Sequence, residues 1–485
     1  MGVLVGMCPP DVRNCRVLEI GCGTGGNIIP MAEQIPGSRL LGIDLSERQV
    51  REAQEWISQL GLTNVEVQKL DILHADHELG EFDYILCHGV FSWVPAGTQR
   101  AILDLCSKHL CSNGIAYISY NTNPGWNIRG MVRDIICFHT KGIDDPKQKI
   151  DQGKQLLGFL ANSLSPKDPY GMLIKKELDT FVNKDDAYVY HDYFADTNLP
   201  VYFHEFVEAL SSNSLQYLCE ADTESMYRGD LPKNVLQTLE QISANEIHVE
   251  QYLDYIRKRT FRQSLISHAN NKVHRILQPA MVDRFFLESF LLPSKPAAMD
   301  SVFHFRNRLN GATLTIEDPL LRTAFLVLSE MTRTDWQLES LHDEISFRLR
   351  GQIPNSEENS VLEKQVLRNA LLQAFVAGHL AFHTVPPRYT YDLSGKPCAS
   401  RCSRSQAILG STVTSLTHHN VVLSNLERTV LQLLDGNTEL DELSSKVQYP
   451  VDIQAASTAL NAESLKEVMS STVENLARRR LLLKT

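Results

Sequence analysis

Residues Val17-Leu18-Glu19-Ile20-Gly21-Cys22-Gly23-Thr24-Gly25-Gly26-Asn27 put one carboxylate inside an apolar strand and follow it with glycines ahead of a helix. Gly21, Gly23 and Gly26 fit the spacing G-x-G-x-x-G, where missing Cβ atoms permit a tight turn and let a ligand approach the backbone. The carboxylate narrows the choice of ligand. Glu19, two residues before the first glycine, attracts an ammonium and repels a pyrophosphate, so the loop suits S-adenosylmethionine better than NAD. A glycine cluster after a strand also occurs as a plain turn. The elements downstream bear on that alternative.

They arrive in the order a doubly wound α/β sheet requires. Leu40-Leu41-Gly42-Ile43 reads as a second strand ending in Asp44, with Leu45 next, where this fold places its ribose-binding carboxylate. Ser46 can cap a helix through Ala53, Trp56 and Leu60, with Arg48 and Glu52 on its wet side. Val65 to Leu70 alternates as a third strand and delivers Asp71-Ile72, an acceptor with an apolar neighbour that suits an adenine amino group and ring face. Phe82 to Cys87 makes a fourth strand, running into His88-Gly89-Val90-Phe91-Ser92-Trp93-Val94-Pro95. An aspartate at one strand end is commonly a turn residue; the glycine loop, Asp44 and Asp71 together favour a cofactor site.

With these residues in place, the sequence resembles the class I S-adenosylmethionine-dependent methyltransferases over roughly residues 15–140. The strings His88 to Pro95 and Ser119-Tyr120-Asn121-Thr122-Asn123-Pro124-Gly125-Trp126 resemble a bacterial group that includes rickettsial protein-lysine methyltransferases acting on outer-membrane proteins. His191-Asp192-Tyr193-Phe194, Asn198 to Phe206 and Tyr217 to Ala221 resemble the methyltransferase regulatory domain that follows in that group. The resemblance implies S-adenosyl-L-methionine as cofactor and lysine side chains of protein as acceptors. Glu19, Gly21, Gly23 and Gly25 are then expected around the methionine part, Asp44 at the ribose, and Asp71 with Ile72 at the adenine; Cys22, Asn27, Leu45 and His88 are further expected contacts. Members of the group carry several tens of residues before the first strand, including an aromatic, Pro-rich lid. Here the loop begins within two dozen residues, so either an N-terminally truncated sequence or a true short form is expected, its lid and activity left open.

For catalysis, an acceptor amine needs alignment and removal of its solvent. His88 and Trp93, with Phe91, after the fourth strand, and Tyr120, Asn121 and Trp126 after the fifth, are the expected channel. Phe91 and Trp93 at alternate positions also suit packing against a helical domain, and His88 a local hydrogen bond.

A chain of 485 residues predicts several domains. The expected division is a methyltransferase domain over 1–145, a helical regulatory domain over 146–292, a winged-helix-like domain over 300–388, and a winged-helix-like or helical region over 389–485. The fold class expected is therefore a Rossmann-like sheet, then helices, then an α+β end. Phe203, Phe206, Val207 and Leu210 show the helical spacing of the second part, and Leu292 to Ala298 reads as a linker. Beyond it, Leu314-Thr315-Ile316 and Leu380 to Thr384 read as strands, Asp318-Pro319 opens a helix through Leu328, and Thr334 can begin another.

The formal net charge of -11 argues against a general nucleic-acid binder and favours a protein-contact role for the winged helices. No apolar run approaches the roughly eighteen residues of a membrane span, and the first residues lack a signal peptide's basic start. Ten scattered cysteines suit a reducing cytosol. Cys398 and Cys402 form a CxxxC pair with no second pair at ligand spacing, so no metal is expected. The expected partners are a lysine-bearing protein and, as an option, a second copy in a homodimer; nucleic acid and membrane insertion are not expected. The alternatives are a small-molecule or RNA methyltransferase, a nicotinamide dehydrogenase, and an inactive truncated protein-interaction scaffold.

Overall fold

The computed structural model describes residues 1–75, 79–222, 224–274, 277–294, 303–331, 333–349, 357–447 and 462–484. They divide into two units, Met1–Lys69 with Asp222–Tyr227 and Lys272–Thr485, and Leu70–Ala221 with Arg228–Asn271.

The first unit begins with β1 (Arg16–Ile20), α1 (Ile28–Gln34), β2 (Arg39–Asp44), α2 (Glu47–Leu60) and β3 (Val65–Lys69). β2 pairs in parallel with β1 and with β3, Val17 opposite Leu40 and Gly42 opposite Val67. Parallel neighbours need crossover helices. α2 supplies one: Ser46 Oγ accepts the Gln49 N–H at 3.4 Å, and left-handed Gly61 ends it. Arg48 and Glu52 pair at 2.7 Å on its outer face, as their spacing predicts.

The second unit holds β4 (Phe82–Cys87), α3 (Ala96–His109), β5 (Leu110–Asn121), α4 (Gly125–His139), α5 (Pro146–Ser163), α6 (Pro169–Asn183), α7 (Asp186–Phe194), α8 (Phe203–Ser212), β6 (Leu215–Glu220), α9 (Lys233–Ile242), α10 (Glu246–Arg257) and β7 (Phe261–His268). β4 runs parallel to β5, and β7 runs antiparallel to both β5 and β6. The strand order of the seven-stranded mixed sheet is β3-β2-β1-β4-β5-β7-β6. α4 to α7 bury Val132, Ile136, Leu157, Ile174, Phe181 and Tyr193 in a core of their own.

The segment expected to be helical therefore contains β6 and β7. β7 alternates in burial, but Arg262 and Ser264 lie on its inner face and are fully buried. A search for apolar alternation passes over such a strand. Arg262 closes a polar core: Nη1 donates to Glu220 Oε1 at 2.6 Å, Nε to Asp254 Oδ2 at 2.9 Å, and Nη2 to Asp254 Oδ1 at 2.8 Å and Glu250 Oε2 at 3.2 Å. Its guanidinium carbon sits 3.8 Å from the centroid of Phe203.

The rest of the first unit continues with β8 (Phe286–Ser289), β9 (Leu291–Pro293), β10 (Phe303–Asn307), β11 (Thr313–Ile316), α11 (Pro319–Ser329), α12 (Leu338–Arg348), α13 (Glu357–Val376) and β12 (Leu380–His383). α14 (Arg401–Leu409), β13 (Thr412–Thr414), β14 (Asn420–Val422), α15 (Asn425–Leu433) and a last helix, Ala462–Arg478, complete it. β8 pairs antiparallel with β12, and β9 with β10. β8 and β9 thus lie inside the stretch expected to be helical, 146–292, or at its edge. Four-residue β8 becomes a strand only through a partner distant in sequence. Thr334 is buried and starts no helix; Gln337 precedes α12. Residues 295–298 of the expected linker lie outside the described residues.

Removing the Arg262 fork while its carboxylates stay buried is expected to destabilise the second unit by about 3–5 kcal/mol, with Arg262→Lys recovering part of the loss. Urea unfolding of Arg262→Ala and Arg262→Lys checks this; a loss below about 1 kcal/mol for the alanine variant contradicts it.

Candidate functional site

In the first unit, β1 delivers Glu19 to a position only 5% exposed. Its Oε1 accepts from Asn27 Nδ2 at 2.9 Å, whereas Oε2 is sealed from solvent without a partner. Burial pushes this carboxyl up to about 7, against the lowering effect of Asn27 and of the Ile28 N–H. An unpaired buried carboxylate oxygen is unfavourable unless a cation or donor completes it. The ammonium of an amino-acid moiety is such a group.

The glycine loop is tied to the end of β2, since the Gly21 and Cys22 N–H groups both donate to the Ile43 carbonyl, at 2.8 and 3.1 Å. Asp44 braces it from the side: Oδ2 accepts the Gly23 N–H at 2.9 Å and Oδ1 the Ser46 N–H at 2.8 Å. Gly25 has φ +80°, and a Cβ there would stand 2.4 Å from Ile29 Cδ1. Gly23 differs. At φ +55°, its Cβ position has only Gln49 Nε2 within 4 Å, at 3.9 Å, so the cradle stays open above it. Cys22 is buried against Gly42, with its thiol pushed up to about 12 by burial and by Glu19 and Asp44, so it shapes the loop and stays unreactive. Leu45 is 66% exposed.

In the second unit, Asp71 caps the short turn Ile72–His74 through an N–H bond from Leu73 at 2.9 Å. His88 follows β4, its Nδ1 2.8 Å from Tyr117 Oη and its ring edge-on to Phe261. Partial desolvation there holds its pKa below the ordinary histidine value. The Gly89 N–H donates to Ser119 Oγ at 2.9 Å, fixing the chain after β4 to β5. Phe91 is buried against Tyr120 and Phe206. Trp93 is half-buried between Trp126, at 6.0 Å, and His191, at 4.2 Å between centroids.

The fifth strand divides its candidates. Consecutive strand residues face opposite sides, and Tyr120 points into the core, 1% exposed, its hydroxyl 3.2 Å from Ser264 Oγ. Tyr120 is therefore removed from the residues that could orient an amine. Asn121, on the other side, is buried with its Nδ2 lacking a partner, while its backbone N–H donates to Ser92 Oγ at 2.8 Å. Trp126 is 4% exposed and forms part of the wall of a 950 Å³ cavity with Pro95, Asn127, Asp134, Asp196 and Asn198. Arg129 already lies 5.1 Å from its ring centroid, so one face of this indole is occupied.

Sequence reasoning passed over Tyr117 and gave His191 no role. The two-residue period of β5 carried the first signal, because Tyr117, Ser119 and Asn121 share one face. The contact of His191 with Trp93 is long-range and left no local mark.

Comparison with known proteins joins these features. A methyltransferase domain model matches residues 18–116, a predicted methyltransferase regulatory domain 185–268, and a PKMT C-terminal winged helix domain 395–481. Uncharacterized protein RP789 of Rickettsia prowazekii is 31% identical over 449 residues, 90% of this chain and 80% of that protein. RP028 of the same organism is 39% identical over 219 residues, 45% of this chain and 88% of its own. The structure of PKMT2 from Rickettsia typhi matches with a TM-score of 0.88 at 28% identity, covering 100% of this chain and 97% of that one. Its complex with AdoHcy matches at 0.87 and 29%, covering 100% and 96%. The orphaned Glu19 oxygen and the open cradle over Gly23 fit the amino-acid end of that cofactor. The seven-stranded sheet is a Rossmann-like methyltransferase fold with S-adenosylmethionine as its cofactor, and the chain belongs to the S-adenosylmethionine-dependent methyltransferases that carry a regulatory domain and a PKMT winged helix domain.

Proposed function

We propose that the chain transfers methyl groups to lysine side chains of protein substrates. The observation that carries this reading is the full-length likeness to PKMT2, which extends through the regulatory and winged-helix parts as well as the cofactor domain. A small-molecule enzyme needs only the first of these. Likeness to a ubiquinone biosynthesis O-methyltransferase of Leptothrix cholodnii reaches 22% of this chain.

S-adenosylmethionine supplies a methyl group on a sulfonium leaving group, so the protein's task is binding, alignment and desolvation. Glu19, once ionised, pairs with the cofactor's ammonium, and Gly21, Cys22, Gly23, Gly25 and Asn27 shape the surrounding backbone. Asp44, with Leu45 beside it, offers its remaining lone pairs to the ribose hydroxyls, and Asp71 with Ile72 takes the adenine. His88, Trp93, Asn121 and Trp126 bear on the acceptor. Neutral lysine at pH 7 to 7.5 lies about 4 kcal/mol above its ammonium form, given a free pKa near 10.4. Desolvation beside Trp93 lowers that difference, and the unpaired Asn121 amide is a polar group available to orient the acceptor.

The parts of the chain follow from this reading: the cofactor domain over 1–145, the regulatory part after it, a first winged-helix-like part drawn back to Phe286 by the pairing of β8 with β12, and a second from 389. The ten scattered cysteines support a cytosolic setting, and no described helix is long and apolar enough to cross a membrane. Protein is the proposed partner, with a homodimer as an option, and nucleic acid is not.

Gly23→Arg is expected to abolish S-adenosylhomocysteine binding by filling the cradle, while Asp44→Ala weakens it by about 1–3 kcal/mol through loss of a charged hydrogen bond; calorimetric titration checks both. Because Glu19 ionises near 7, affinity should fall as pH drops through that value, by up to about tenfold per unit, and the profile of Glu19→Gln should be flat. Without ligand the sign reverses. A folded pKa raised above the unfolded one stabilises below about 4.5 and loses that contribution as pH rises through 7, so thermal unfolding of the free wild type should weaken over this range relative to Glu19→Gln. Labelled methyl donor in a cell extract should mark protein lysines, and Trp126→Ala should lower that turnover while leaving S-adenosylhomocysteine affinity intact. Label confined to metabolites or RNA would select the alternative acceptors, and equal loss of cofactor binding would make Trp126 structural.

A further inference from the structure

A cavity of 570 Å³ in the first unit is lined by Arg308, Arg478, Arg479 and Arg480, with Ser415, Thr417, His419 and Asn420, and by the apolar side chains of Leu292, Leu309, Met331 and Val421. Four arginines and, among the described residues, no carboxylate line it, in a chain whose net charge is -11. The carboxylates that compensate them stand behind the wall and are fewer. Glu288 alone serves both Arg308 and Arg480, and also accepts from His383 Nε2 at 3.0 Å. Glu427 holds Arg479 at 2.9 Å, and Glu474 lies 3.9 Å from exposed Arg478.

The decisive group is Arg480. It is 5% exposed, adopts φ +58° just past the last helix, and keeps an Nε–H without a partner. Arg308 likewise has an unpartnered buried Nε–H. Arg308 also reaches Tyr391 Oη at 3.3 Å and Arg480 Nη1 lies 3.5 Å from Thr417 Oγ1, so the forks are held in place by mostly neutral partners, and a wall of arginines with no acid among its described residues suits the planar, bidentate geometry of a carboxylate. Thr417 Oγ1, 3.1 Å from His419 Nδ1, adds a hydroxyl to the same wall.

We infer that this cavity binds a carboxylate of a polypeptide, an acidic side chain flanked by apolar residues, and so holds an acidic segment of the protein presented for methylation. The inference rests on the protein-substrate reading above. The apolar walls favour a peptide over a bare anion: Leu292, Leu309, Met331 and Val421 offer burial to neighbouring side chains that a small hydrated ion cannot use.

The test uses the full chain and a fluorescein-labelled decapeptide of alternating Leu and Glu, with no lysine, read by fluorescence anisotropy. The Glu peptide should bind at least tenfold more tightly than its Leu-Gln counterpart and should weaken as salt rises. Arg480→Gln should weaken it at least tenfold. Because Arg480 is buried and its loss can unfold the domain, Arg478→Glu serves as the second variant: its side chain is 63% exposed, and a threefold or greater loss is expected with S-adenosylhomocysteine affinity unchanged. Equal binding of the Gln peptide, or no effect of Arg478→Glu together with none of folded Arg480→Gln, overturns the proposal. A matching phosphoserine peptide that binds more than tenfold tighter than the Glu peptide also overturns it, in favour of a phosphate site. The peptide accepts no methyl group, so its binding stands or falls separately from lysine methylation.

Discussion

A carboxylate sealed inside a strand constrains everything around the cofactor loop. Glu19 cannot be solvated by water where it sits, and donors from Asn27 and the Ile28 N–H still leave its Oε2 without a partner. Such a group stays neutral or waits for a cation. A few local contacts shape the loop around it. Cβ atoms are absent at the turns, Asp44 is spent partly on bracing the Gly23 N–H, and Cys22 is folded back against Gly42 with a thiol too protonated to react. A pyrophosphate brought to the same place would meet this buried carboxylate, whereas an ammonium would complete it.

Arg262 plays the corresponding part in the second unit with the charge reversed. A guanidinium fully removed from water is tolerable only when its fork is filled, and Glu220, Glu250 and Asp254 fill it from β6 and α10. The three carboxylates exceed the one cation, and Arg259 supplies further charge at 3.2 Å from Asp254 and 3.4 Å from Glu250. Buried ion networks of this kind add little net stability compared with an apolar core, but removing one member is severe. Their effect here is on register: β7 can sit beside β5 and β6 only where Arg262 meets all three acids. That fixes Phe261 beside His88 and Gln263 within 3.2 Å of Tyr117 Oη, so the polar core sets the surroundings of the histidine after β4.

The parts of the fold legible in the sequence were those with local cause. Ser46 and Asp318 cap helices because their oxygens reach N–H groups three residues on, and the alternation of β3 and the apolar run of β4 are visible without partners. The glycine turn between β1 and α1 was legible because its pattern is carried by spacing. What escaped had non-local cause. β7 hides behind a polar inner face, β8 depends on β12, and Tyr120 was misplaced because adjacency in sequence was read as adjacency in space, against the two-residue period of a strand. The four arginines of the cavity in the first unit come from separate stretches, Arg308 from one and Arg478 to Arg480 from another, and only packing brings them together with no acid among the described lining residues.

One further connection lies within the first unit. α1 begins at Asn27, the residue that holds Glu19, and seven residues later it ends where the last winged-helix part is attached. Glu33 there accepts the N–H groups of Arg401 and Cys402, at 2.6 and 3.0 Å, acting as the anionic cap of α14, and Arg388 donates to the Gln34 carbonyl at 2.5 Å. Trp56 of α2 adds a bond to Ser405 at 3.2 Å, and Arg401 reaches the Leu60 carbonyl at 2.8 Å. Both crossover helices of the parallel strands are thereby fastened to α14. The C-terminal winged-helix part is thus tied to both helices that flank the cofactor loop, and the carboxylate that caps α14 comes from α1, the helix that the loop opens.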